Sequence, residues 1–158
     1  MERRLVKRLS LIALTGLVGC LVLAACGNGR LSKPDYRNQL GVILKSSTLA
    51  HSSLSLAGAT ARTVPQLQTH LRRFAAAQDR LGDEIAALKP PKDAEAANAL
   101  IARGAHHDAA EVRTLIPKLS KYSTVRQALH FLNGVGHTKG GQELDRATRK
   151  LRKLGYIT

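Results

Sequence analysis

The 158-residue sequence is poor in the residues on which many catalytic and disulfide-held folds depend. Trp is absent and aromatics make up 3% of the chain. That is too little for the β-rich cores that draw on Tyr, Phe and Val, or for stacking platforms under nucleic-acid bases. The two cysteines, Cys20 and Cys26, both fall within the first 26 residues. A disulfide framework or a cysteine-ligated metal is thereby excluded from everything that follows. Acid is scarce too, with 11 Asp+Glu against 25 Lys+Arg and a formal net charge of +14. Such a surplus favours an anionic partner. Ala and Leu dominate what is present, which suits helices, and the length allows one domain around one core.

Charge itself is missing from one long stretch, Leu9 to Ala25. Before it, Arg3, Arg4, Lys7 and Arg8 stand against a single Glu2. A basic start followed by an apolar run of this length is the pattern of an export signal. The run ends in Leu23-Ala24-Ala25-Cys26, which resembles the lipobox of bacterial lipoproteins. The resemblance implies that diacylglycerol is attached to the Cys26 thiol and that the chain is cut before it. It places the remainder on the extracytoplasmic face of the cell membrane, where two acyl chains give stable anchoring. An uncleaved helix would instead leave Arg30, Lys33 and Arg37 just outside the membrane, against the positive-inside tendency. The expected organisation is a signal peptide over 1–25, a Gly-containing tether over 26–34 and a helical domain over 35–158. Loss of the leader leaves 21 basic residues against 10 acidic ones, so the basicity belongs to the domain.

Within that domain, Asp35 after Pro34 predicts the start of a first helix running toward Gly58, with a Ser-rich second half. Thr63 and Gln66 form a capping box with Pro65 in the first turn. Leu67, Leu71, Phe74, Gln78, Leu81, Ile85 and Leu88 then follow at spacings of four and three, which draws one apolar stripe along a second helix. Pro90-Pro91 ends it. Asp93 is the expected cap of a third helix that reaches Ile116, with a polar middle, RGAHHDAAEVR. A fourth begins near Ser123 or Thr124 and breaks in NGVGHTKGG, residues 133–141, which reads as a flexible loop. The last spans Gln142 to Leu154, with Gly155 and Tyr156 placed for a Schellman ending over Leu151. The fold class expected is all-α: an antiparallel bundle of four to five helices after a cleaved signal helix.

The motifs of common chemistries are missing as well. The glycines at 134, 136, 140 and 141 match neither a P-loop nor a dinucleotide fingerprint. No HExxH and no Cys-x-x-Cys-His occurs, and no histidine has an acid three residues before it, as di-iron bundles require. His107 with Glu111 one turn on, and Asp108 beside them, form the one partial ligand set for a metal. The serines at 46, 47, 52, 53 and 55 lack a nucleophile elbow, which leaves hydrolysis as a third-ranked function.

The clearest surface feature is the last helix, with Arg146, Arg149, Lys150, Arg152 and Lys153 within eight residues. For an exported chain this points to anionic lipid headgroups, an envelope polymer or an envelope protein, not to nucleic acid. Outside the leader the chain resembles the small, Ala-rich, all-helical lipoproteins of bacteria, of actinobacterial type, a resemblance that implies no activity. The function expected is a non-enzymatic, membrane-anchored interaction module without a cofactor beyond the lipid on Cys26. The alternative is a metal- or ligand-binding bundle using His107, Glu111 and Asp108.

Overall fold

The computed structural model describes residues 29–136 and 138–157, without the side chains of residues 50, 51 and 53–59. The expected signal peptide, Cys26 with the start of the tether, and His137 lie outside the described residues. Regular structure among the described residues is entirely helical. The order is α1 (Lys33–Thr60), α2 (Val64–Ala87), α3 (Glu95–Leu115), a 3-10 helix (Ile116–Lys121), α4 (Val125–Gly134) and α5 (Lys139–Lys153). None of these helices is long and apolar enough to cross a membrane.

Local chemistry accounts for several boundaries. The Thr63 side chain accepts from the Gln66 N–H, and the Gln66 side chain accepts from the backbone of Thr63 in return, a reciprocal cap worth about 1 kcal/mol. Thr124 caps α4 through the Gln127 N–H. At the end of α5, the Tyr156 N–H reaches the Leu151 carbonyl at 2.9 Å and the Gly155 N–H reaches Arg152 at 3.0 Å. Gly155 sits at φ 73°, so the Schellman ending expected there is formed. Along α1, the Thr48 hydroxyl donates to the Leu44 carbonyl and the Ser52 hydroxyl to the Thr48 carbonyl. These hydroxyls satisfy themselves within their own helix.

Three expected boundaries move, the first being the start of α1, which lies at Lys33 instead of Asp35. Asp93 does not cap α3, whose N-cap is Ala94 with no side-chain bond. The Asp93 carboxylate instead accepts the Tyr156 hydroxyl at 2.7 Å. Nor are residues 139–141 part of a flexible loop: α5 begins at Lys139, three residues before the expected start, capped by Thr138.

The helices pair antiparallel, as the numbering of their contacts shows. Gln68 bonds the Ile116 carbonyl, Gln78 bonds Asp108 and Asn98 bonds the Ile85 carbonyl, so α2 and α3 run in opposite directions. Glu143 beside His107 and Asp93 beside Tyr156 set the same sense between α3 and α5. The largest core cluster gathers Tyr36, Leu40, Leu81, Ile85, Ile101 and Leu151 with several alanines. A second cluster at the opposite end joins Val64 and Leu67 to Leu119 and Ala128. The stripe expected on α2 faces inward: Leu67, Leu81 and Ile85 are buried, and Leu71, Phe74 and Leu88 partly so.

The chain enters at the end of the bundle where α5 finishes. The Leu31 N–H bonds the Lys89 carbonyl and the Arg30 guanidinium donates to the Pro90 carbonyl. The Lys33 ammonium donates to the Leu154 carbonyl at 2.7 Å and lies over the Tyr156 ring. Tyr36 meets Tyr156 edge to face, with centroids 5.2 Å apart. The last residues of the stretch read as tether are therefore docked, and helix α1 starts within it.

Candidate functional site

The polar middle of α3 faces the first turn of α5. Gly104, His107, Asp108 and Glu111 recur at three- and four-residue spacing, so they share one face of the helix. Opposite them lie Thr138, Lys139, Gly140 and Glu143. A Cβ at Gly140 would stand 2.2 Å from the Asp108 backbone nitrogen and 2.5 Å from the Gly104 carbonyl oxygen. Glycine is thus what permits the two backbones to meet here.

The carboxylates at this crossing have defined partners. The buried Asp108 carboxylate accepts the Thr138 hydroxyl at 2.6 Å and the Gln78 amide at 2.7 Å. Gln78, in the middle of the α2 stripe, thereby ties α2 to the same point. The Glu111 carboxylate accepts the backbone N–H groups of Lys139 and Gly140 at 3.3 and 3.4 Å, placing negative charge at the positive end of the α5 dipole. The His107 Nδ1 lies 2.8 Å from the Glu143 carboxylate, which Arg103 also approaches at 3.6 Å. Burial pushes the Glu143 carboxyl up, but the His107 hydrogen bond and the charges of His107, Arg103 and Lys139 outweigh it and hold its pKa below the ordinary value.

The three candidate ligands are therefore distributed, not gathered. His107 holds Glu143, Glu111 holds the backbone of α5, and Asp108 holds Gln78 and Thr138. Among the described residues, no group of three or more His, Cys, Asp or Glu side chains is arranged to hold a metal ion. Neighbouring His106 turns the other way, its ring nitrogens 3.4 Å from Asp79 and 3.5 Å from Asp83 of α2. The Arg113 guanidinium bonds Asp79 directly and, with the smaller contribution of His106, keeps that carboxyl low. Sequence reasoning missed Thr138, Arg103 and Glu143 as members of this junction. The signal available was the three- and four-residue recurrence of polar side chains in α3, which implies a polar neighbour.

The outward face of α5 behaves differently. Arg146, Arg149, Lys150, Arg152 and Lys153 are all exposed, and none forms an ion pair among the described residues. Gly140, Glu143, Ala147 and Leu151 on the opposite face are buried. Burial of that face fixes the rotation of the helix and so directs the five cations to solvent. No protein-family model matches the chain, and neither a curated protein nor a solved structure matches it.

Proposed function

We propose that the chain is an exported, lipid-anchored interaction module, held on the extracytoplasmic face of the membrane through diacylglycerol on Cys26. Its partner is an anionic envelope component met by the basic face of α5, and it carries no chemistry of its own. The observation behind this reading is the juxtaposition of the α5 C-terminus and the point of chain entry, sealed by the Lys33 bond to the Leu154 carbonyl. Gly29 stands three positions after Cys26, a span of at most about 11 Å. That is close to the screening length of about 8–10 Å at physiological salt. Anchoring at Cys26 holds the end of the bundle where α5 finishes toward the bilayer, and each cation that reaches the surface gains about 1 kcal/mol from anionic lipid.

Lysine footprinting of the acylated chain on vesicles tests this. With phosphatidylglycerol present, Lys150 and Lys153 are expected to react more slowly than on phosphatidylcholine alone, and high salt removes the difference. Lys118, at the far end of the bundle, serves as the internal control. Equal reactivity of Lys150 and Lys153 on both lipids would contradict the proposal.

A further inference from the structure

The opposite end of the bundle carries a groove that the anchoring proposal does not use. It lies between the end of the 3-10 helix and the outer face of α4, with a volume of about 860 Å³. Its wall on α4 follows Arg126, Gln127, His130, Phe131 and Gly134. These positions recur at three- and four-residue steps, so the groove runs along the helix axis from Arg126 to Gly134, about 12 Å. Such a track suits an extended chain better than a compact ring.

Polarity changes along that track. At the start, Lys121 and Arg126 are exposed and form no ion pair among the described residues. From Val112 through Gln142 the sequence contains no Asp or Glu at all, so nothing nearby in the chain neutralises them. Past them the lining alternates apolar and polar groups, with half-buried Tyr122 and Phe131, exposed His130 and then Val135. Tyr122 and Phe131 lie with ring centroids 5.5 Å apart, and Val135 is among the exposed large hydrophobic residues at 40%. Beyond Phe131, a Cβ at Gly134 would meet nothing within 4 Å among the described residues. A concave site that combines apolar side chains with a few placed charges is the usual form of a small-ligand site.

We propose that this groove binds a single-chain anionic amphiphile, with its acidic head at Lys121 and Arg126 and its tail along Phe131 and Val135. One helix face offers one track, hence one chain. The absence of acid selects an anion over a cation of the same length. Phe131 and Tyr122 supply the apolar contact that a short carboxylate such as acetate could not use. The proposal stands on the groove alone and does not depend on acylation at Cys26.

The test uses the full chain in phosphatidylcholine nanodiscs with a dodecanoate that carries a photoreactive diazirine at its tail. Cross-links mapped by mass spectrometry are expected in the peptide containing Phe131 and Val135. Excess dodecanoate should compete and dodecyltrimethylammonium should not. The exposed double substitution Lys121→Gln with Arg126→Gln should cut labelling about tenfold, as expected when two charge-assisted contacts are lost. Phe131→Ser should also cut it, with circular dichroism confirming that the helices remain. Labelling spread over the chain, unchanged by the double substitution, or competed equally by the cationic amphiphile would overturn the proposal. So would a dimer in native mass spectrometry that disappears with Phe131→Ser, because it would assign the groove to a second copy of the chain.

Discussion

Replacing Gly140 by Ala reverses the usual outcome of that substitution. At an ordinary helical position, Gly to Ala gains up to about 1 kcal/mol, because alanine loses less backbone freedom on folding. At Gly140 the new methyl would lie 2.2 Å from the Asp108 nitrogen, 2.5 Å from the Gly104 oxygen and 2.6 Å from the Asp108 Cα. Optimal non-bonded contact is about 3.5 Å or more, so α3 and α5 must part by about 1 Å. These neighbours are backbone atoms, and no rotamer change can relieve them. Overpacking of this kind costs about 1–3 kcal/mol. Parting the helices also lengthens the Thr138–Asp108 and Glu111–backbone hydrogen bonds, which brings the loss to about 2–4 kcal/mol. A melt followed by circular dichroism should therefore drop by roughly 10 °C. Gly41 in α1 is the control, since a Cβ there meets nothing within 4 Å. Gly41→Ala should raise the Tm by a few degrees. A Gly140→Ala protein as stable as its parent would refute the close crossing of α3 and α5.

Asp108→Ala leaves the buried ends of Gln78 and Thr138 without their shared acceptor, and chemical denaturation should show a loss of about 2–4 kcal/mol. Thr138→Ala should cost about 1 kcal/mol through the lost cap and show as lower hydrogen-exchange protection confined to the start of α5. Burial first, with Tyr156 then Asp93 as neighbours, pushes Tyr36 and Tyr156 up to about 12. Both favour the neutral phenol in the fold, so their contribution is complete below pH 10 and lost as pH rises toward 12. Tyrosinate absorbance should accordingly rise together with unfolding over that window. On the acid side, Glu143 and Asp79 are held below 4.5 and 3.8. Their contribution is present above those values and lost as pH falls through the lower folded ones. In Glu143→Gln, the acid limb of a stability–pH profile should be shallower than in the parent.

How much of this was legible in the sequence depended on how local each cause is. The second helix was readable because Thr63, Gln66 and Pro65 stand beside one another and its stripe repeats without interruption. The ending at Gly155 and Tyr156 was readable for the same reason. The start of α5 was not, because Gly140 and Gly141 read as a loop by propensity. What makes them helical is the Thr138 hydroxyl together with Glu111, 28 and 29 residues earlier than the N–H groups it accepts. The same distance in sequence hid the role of the polar middle of α3. His107, Asp108 and Glu111 were visible as a cluster but not the α5 groups that each one holds. Asp93 was misassigned because its competitor, the Tyr156 hydroxyl, arrives from 63 residues away. The exposure of the five α5 cations, in contrast, follows directly from the Leu144, Ala147 and Leu151 spacing.

Intact-mass spectrometry of the protein extracted from its own cells with mild detergent tests the central claim, anchoring of this basic bundle through Cys26. The account predicts a chain that begins at Cys26 and carries the added mass of diacylglycerol there, lost when Cys26 is replaced by Ser. An unmodified chain that still begins at Met1 would contradict it.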